Sequence, residues 1–308
     1  MKIAITGATG FVGTKLVQKL ASNHQIVIFT RNADKAKSKF SQSSQSAIEF
    51  VNYTPKKSGS WQEKIDGCDA VINLAGAPIA ERWSPSYKQE IMDSRVVGTE
   101  MIVDAISKAS KKPSVLVNAS AIGYYGTSET ATYTEKDSGG QDFLAQVCQN
   151  WEAQAKKVED LGTRLVIFRL GIVLGNGGAL AKMITPFQMF AGGPIGTGKQ
   201  WFSWVHREDV VSMIISAIEN SELTGTFNAT APNPVTMTQL CNILGEVMSR
   251  PSWLPVPDFA LELLLGEGAQ VVLEGQKVLP ENTIAQMKYA YQYADLKPAL
   301  DNILKTEF

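Results

Sequence analysis

Two rhythms alternate through the first half of the chain. Short runs at residues 2–6, 25–31, 69–74, 115–119 and 164–169 are apolar at nearly every position, as strands buried on both faces are. Between them, at about 12–22, 87–110 and 142–161, apolar residues return every three or four positions, the spacing of helices with one buried stripe. Strands joined by crossover helices predict a parallel sheet covered on both sides, an α/β doubly wound architecture. After residue 169 the rhythm breaks into glycine-rich turns at 175–178 and 192–198 and a proline-rich stretch at 251–257. The expected organisation is a core over 1–180, with 205–235 returning to it, and a smaller C-terminal substrate lobe from 181–204 and 236–308.

The composition narrows the function classes. With 308 residues, 44% hydrophobic and 19% charged, the chain is long and apolar enough for a sizeable core. A net charge of -1, with scattered Lys and Arg, offers no basic field for nucleic acid, and no run is long enough to span a membrane. Cys68, Cys148 and Cys241 are odd in number and far apart, which excludes a disulfide framework and a metal knuckle. The expectation is a soluble protein of a reducing, cytoplasmic compartment, with a small-molecule substrate and no metal.

The first run is followed at once by Gly7-Ala8-Thr9-Gly10-Phe11-Val12-Gly13, which opens the first helix. That placement gives a glycine turn its use, since bare backbone lets a diphosphate reach the amide N–H groups at a helix start. The second strand ends in Phe29-Thr30-Arg31, where a protein selective for NAD usually presents an acid to the ribose hydroxyls. A guanidinium there pairs with a 2′-phosphate, so NADP(H) is the expected cofactor; a solvated arginine is the alternative, and Asp34 lies just downstream. Leu74, Ala75 and Gly76 follow the next strand and suit close passage beside adenine and ribose.

Longer motifs add a family resemblance. They are Asn73-Leu74-Ala75-Gly76-Ala77-Pro78-Ile79 with Arg82-Trp83, Ser94-Arg95 with Gly98-Thr99, Ser120-Ala121-Ile122-Gly123-Tyr124-Tyr125-Gly126, Trp151-Glu152, and Arg169-Leu170-Gly171-Ile172-Val173-Leu174-Gly175. With these the chain resembles the extended short-chain dehydrogenases/reductases, in particular their atypical SDR39U1-like branch of epimerase family proteins, also described as YfcH-like sugar nucleotide epimerases. The segment from Gly192 to Asp209 is similar to the substrate side of extended members, and Leu273 to Pro280 resembles the branch's C-terminal module, placed at about 250–297. The resemblance implies a NAD(P)-binding Rossmann fold and allows a homodimer.

It also implies a Tyr and a Lys four apart on one helix, which would exchange a proton with substrate as hydride moves. Counted back from Trp151-Glu152, those positions hold Leu144 and Cys148. The Tyr-xxx-Lys from Tyr53 to Lys57 contains Pro55 and lies in the wrong part of the fold. Ser120 is expected as a polar contact at a strand end, and Tyr124 as the replacement phenol, because Ser120 to Gly126 is one residue longer than the usual spacing; aromatic packing is the alternative for Tyr124. Arg82, Trp83, Arg95, Trp204 and Lys277 are candidates for a pocket that takes an anionic or ring-bearing substrate, with solvated charges and core tryptophans as the alternative for each, and His206 and Asp209 for fixing a loop. Three functions follow: an NADP(H)-dependent oxidoreductase on a small carbonyl, alcohol or nucleotide-linked compound; a nucleotide-sugar epimerase or dehydratase; and a non-catalytic NADP-sensing or cell-division-related regulator.

Overall fold

The computed structural model describes residues 1–41 and 45–306. Seven strands form one sheet: β1 (Lys2–Thr6), β2 (Gln25–Thr30), β3 (Ile48–Asn52), β4 (Ala70–Asn73), β5 (Val115–Ala121), β6 (Arg164–Leu170) and β7 (Gly225–Ala229). Their spatial order is β7-β6-β5-β4-β1-β2-β3, and every neighbouring pair is parallel. The chain winds outward one way from β1 and the other way from β4, so the order reverses between these two strands. In open α/β sheets ligands sit outside the carboxyl ends of the strands at such a reversal.

Alternate side chains of each strand feed two separate cores. Ile3, Ile5, Ile26, Ile28, Val115, Val117, Val166 and Phe168 pack on one face against α1 (Phe11–Leu20) and the helix at Arg207–Glu219. Ala4, Val27, Phe29, Val71, Leu116, Leu165 and Ile167 pack on the other against α3 (Pro85–Lys108) and α4 (Phe143–Lys156). A strand buried on both faces has no polar positions to alternate with, which is why these runs read as continuous apolar stretches. Each such Val, Leu, Ile or Phe contributes about 1.5–3 kcal/mol on burial.

Local chemistry sets the helix starts. Ser84 accepts the Tyr87 amide, with Pro85 as the first helical residue of α3, and Asp142 accepts the Ala145 amide at the start of α4. A short helix, α2 (Ala33–Lys37), is capped by Asn32. The helix predicted over 142–161 is shorter, ending at Lys156 before a single tight turn at Glu159–Leu161 that Gly162 closes at φ 80°. Strands β3 and β7 were not anticipated. Both are sheet edges: Glu49, Asn52 and Thr226 interrupt their apolar pattern at partly or fully exposed positions, and Asn228 is buried but bonded to Tyr125, Glu135 and Leu279.

A third core lies apart from the sheet. Here α5 (Gly178–Gln188), α7 (Met237–Met248) and α8 (Leu296–Thr306) bring Leu180, Phe187, Leu240, Leu244, Leu300 and Ile303 together around Trp204; the helix at Arg207–Glu219 between them is α6. Asp209, fully buried on α6, accepts from the Tyr289 hydroxyl at 2.8 Å and from the Gln292 and Tyr293 amides at 2.8 and 3.2 Å. One carboxylate thus gathers three donors from the C-terminal segment. His206 is fully buried, accepts the Glu208 amide at 3.1 Å as the cap of α6, and stacks on Tyr293 at 3.9 Å. Among the described residues no helix is long and apolar enough to cross a membrane.

Candidate functional site

The glycine turn sits at the carboxyl end of β1, on the line where the strand order reverses. Gly7 has φ 69°, and a side chain there would stand 2.6 Å from the Leu74 carbonyl carbon, so the first turn and the loop after β4 touch backbone to backbone. At Gly13 a Cβ would overlap the Gly7 carbonyl oxygen and Ala8, which fixes the approach of α1 to β1. Gly10 donates to Gly7 at 2.9 Å and stands before α1, whose first turn carries no acid. Unpaired N–H groups, absent acids and bare backbone together make a cradle for a diphosphate. Phe11 sends its ring under the turn at Gly175–Gly178, where the Arg207 guanidinium covers it at 4.7 Å; Val12 is half-buried beside it.

Below the loop after β4 lies a buried polar clamp that sequence reasoning missed. The Thr6 hydroxyl donates to Asn73 Oδ1 at 2.6 Å, and Asn73 Nδ2 donates to Asn118 Oδ1 at 2.7 Å and Thr99 Oγ1 at 2.9 Å. Thr99 also receives the Trp151 indole N–H at 2.9 Å. β1, β4, β5, α3 and α4 are thereby locked together beneath Leu74, Ala75 and Gly76. Arg95 tightens the same loop by donating to Ala77 O at 3.0 Å and Ile91 O at 3.1 Å, with its guanidinium against Gly76. Burial lowers its pKa.

Arg31 is exposed beyond the end of β2. Asp34, three residues downstream, faces Lys37 on α2 at 3.5 Å. Across the glycine turn, Lys39 Nζ donates to the Thr9 carbonyl at 2.8 Å.

The chemical end is built differently. Ser120 is buried, and its hydroxyl donates to Glu152 Oε1 at 2.7 Å rather than facing outward; the half-exposed residue at the strand end is Ala121. Strand alternation turns it under α4, where the carboxylate takes it. Glu152 is paired through both oxygens with Arg169, at 2.8 Å each, and Arg169 donates to the Tyr125 hydroxyl at 2.9 Å. Burial works against the Arg169 charge, but the bonded Glu152 outweighs it and raises its pKa. The Tyr125 phenol donates to Asn228 Oδ1 at 2.7 Å, and burial pushes it up to about 12 despite the neighbouring Arg169. Cys148, at the position expected of a lysine, is buried and pushed up to about 11, chiefly by desolvation. Tyr124 stands apart. It is half-buried, its ring lies flat on the Arg169 guanidinium at 3.3 Å, and its hydroxyl has no protein partner among the described residues.

Each of the five candidate substrate residues has a partner of its own within the protein. Trp204 is fully buried in the third core, its indole N–H given to Asn233 O at 3.1 Å, and Trp83 is packed against Phe143 with its N–H on Ile79 O at 2.8 Å. Both are buried in cores, the alternative that the sequence left open for an indole, and in each the one donor finds a carbonyl. Arg95 serves the loop after β4. Arg82 is exposed and donates to Leu263 O at 2.7 Å, tying that loop to the C-terminal segment, and Lys277 lies over the Trp201 ring at 4.7 Å. A concavity of about 540 Å³ lined by Met1, Lys2, His24 and Asp69 lies at the amino ends of the strands, the side of a parallel sheet that ligands do not use.

Residues 3–229 match the model of the NAD dependent epimerase/dehydratase family, and residues 256–303 match a domain of unknown function, DUF1731. The chain is 50% identical over 309 residues to the chloroplastic epimerase family protein SDR39U1 homolog of Arabidopsis thaliana, covering 99% of this chain and 87% of that protein. It is 40% identical over 306 residues to the epimerase family protein YfhF of Bacillus subtilis (strain 168), covering 99% and 98%. Among solved structures, the human epimerase family protein SDR39U1 (isoform 2) with NADPH superposes with a TM-score of 0.86 at 32% identity, over 99% of this chain and 100% of that one.

Proposed function

The chain belongs to the NAD dependent epimerase/dehydratase family, and we propose that it is an NADP(H)-dependent oxidoreductase acting on a small carbonyl, alcohol or nucleotide-linked compound, with Tyr124 as its proton donor. The cofactor assignment is supported by the glycine cradle, by Arg31 where an acid would select NAD, and by the NADPH in the human SDR39U1 structure. When bound, the cofactor supplies a hydride to the substrate carbon. The residues of the chain then have to hold the nucleotide, exclude water and deliver one proton.

Gly7, Thr9, Gly10, Phe11, Val12 and Gly13 hold the diphosphate through backbone, and Leu74, Ala75 and Gly76 form the floor for adenine and ribose. Tyr124 gives its hydroxyl proton to the substrate oxygen as the carbonyl π pair moves onto that oxygen, and the phenolate takes a proton back from water. The Arg169 guanidinium under the ring stabilises the negative charge that develops on the phenol, and Glu152 keeps Arg169 in place. Arg169 thus serves the purpose of a lysine that the helix lacks. The observation that carries this reading is the contrast between Tyr125, whose hydroxyl is bonded twice, and Tyr124, whose hydroxyl has no partner among the described residues.

The test is NADPH oxidation over a panel of aldehydes, ketones and nucleotide-linked sugars, run in parallel with Tyr124→Phe. Turnover that the substitution abolishes, with NADPH affinity retained, is the expected result. NADPH binding with no oxidation of any panel member overturns the oxidoreductase reading, and unchanged turnover in the variant removes Tyr124.

A further inference from the structure

Arg95 is a cation set among neutral partners. From α3 it donates to Ile91 O one turn back at 3.1 Å and to Ala77 O at 3.0 Å, and its guanidinium lies over the Trp151 ring of α4 at 5.4 Å. None of these matches its charge, and the titratable groups that act on it are the Cys148 thiol and the Tyr87 phenol rather than an acid. Of the five N–H groups on the fork two are given to carbonyls, and the residue is only half-buried, so three donors remain for a ligand.

The loop after β4 is bare at Gly76, where a Cβ would stand 3.0 Å from the guanidinium carbon, so the missing side chain lets the cation lie against this loop. Trp151 is one turn beyond Cys148 on α4, and the Cys148 thiol meets Ser120 and Ala121 at the end of β5. Burial, and after it Glu152, push that thiol up to about 11, and Arg95 is close enough for its charge to oppose the rise. Arg95 thus lies between the carboxyl ends of β4 and β5. A dinucleotide laid across the reversal of strand order, with its adenosine toward β2, sends its other half over these two strands. The face of α4 that carries Leu144 and Cys148 offers it no cation. We propose that Arg95 grips the ribose phosphate in the nicotinamide half of the cofactor, reaching from α3 to a place that α4 leaves without charge. The proposal rests on the NADP(H) reading above and adds a residue that holds the reactive end of the nucleotide. A phosphate supplies the charge that two carbonyls and a ring lack, and a planar fork can bond a phosphate oxygen and a ribose hydroxyl together. In this role Arg95 binds and moves no proton.

The competing role for Arg95 is support of the loop alone, and fragments of the cofactor separate the two. Calorimetric titration of the intact protein uses NADPH, 2′-phosphoadenosine 5′-diphosphoribose, which lacks only the nicotinamide, and adenosine 2′,5′-bisphosphate, which lacks the whole second half. Arg95→Met is expected to weaken the first two by about ten- to hundredfold, the scale of hydrogen bonds to a charged group, while the bisphosphate stays within about twofold. Arg95→Lys keeps the charge without the fork and should recover part of the loss. If urea unfolding shows that Arg95→Met does not fold, Arg95→Lys carries the same comparison, with a smaller loss confined to the same two ligands. Weakening of the bisphosphate alongside the others, a loss confined to NADPH, or no change in any of the three overturns the proposal and leaves the cofactor reading intact. A wild-type protein that binds none of the three overturns both.

Discussion

The two ends of the proposed site are built from different materials, backbone at the glycine turn and paired side chains around Tyr124. At the phosphate end the working groups are backbone amides, and the residues that matter are those without side chains: Gly7 against Leu74, and Gly13 against the Gly7 carbonyl. At the chemical end the working groups are side chains, and nearly all are spent on one another. Ser120 is given to Glu152, Glu152 to Arg169, Arg169 to Tyr125 and Tyr125 to Asn228, which leaves Tyr124 on top of the chain of bonds. A site made of backbone tolerates little variation and advertises itself; a site made of paired side chains can keep its frame while its reactive group moves to another position.

That contrast can be broken or sharpened by experiment. The largest effect belongs to Tyr124→Phe, expected to slow turnover by about 10²–10⁴-fold, the usual contribution of a positioned acid, with the NADPH dissociation constant within about twofold. A parallel loss of affinity would mean that the phenol supports the cofactor instead. Next is Glu152→Leu. Stranding the buried guanidinium should cost about 3–5 kcal/mol in urea unfolding, and the double change Glu152→Leu with Arg169→Met should recover most of it. A single change that costs under about 1 kcal/mol would show the chemical end to be loosely held. At the other end, Gly7→Ala forces a side chain into a positive-φ turn against backbone and should cost about 1–3 kcal/mol, along with a clear loss of NADPH affinity in calorimetry; an unaltered affinity would remove the backbone cradle.

The smallest effect is on alkaline stability. The Cys148 thiol is pushed from its ordinary 9.0 to about 11 and the Tyr125 phenol from 10.0 to about 12, so the folded chain holds both protons more tightly than the unfolded chain does. Below pH 9 neither group affects stability. As pH rises from 9 toward 11 the unfolded chain loses its protons first, and the urea midpoint should fall. A flat midpoint from pH 8 to 10.5, or rapid reaction of Cys148 with a disulfide reagent at pH 8 in the native protein, would count against burial as the cause.

What could be seen in the sequence follows the same division. The glycine turn was legible because its meaning depends on residues next to it in the chain and on a strand directly before it. The clamp of Thr6, Asn73, Asn118, Thr99 and Trp151 was not, since five ordinary polar residues spread from β1 to α4 acquire meaning only once the sheet brings them together. Ser120 looked like a strand-end hydroxyl facing a ligand, and only the place of Glu152 on α4 shows which way it turns. Trp83 and Trp204 could equally have been pocket walls or core, because an indole serves both and its burial is decided by distant partners.

The carboxylate of Asp209 has a consequence for timing. Its three donors lie 80 to 84 residues downstream, so during synthesis α6 leaves the ribosome with an anion that nothing yet satisfies. Burying it at that stage would be costly. Full burial of the start of α6 is therefore coupled to the arrival of residues 289–293, so the final packing of that helix is expected to follow synthesis of the tail of the polypeptide.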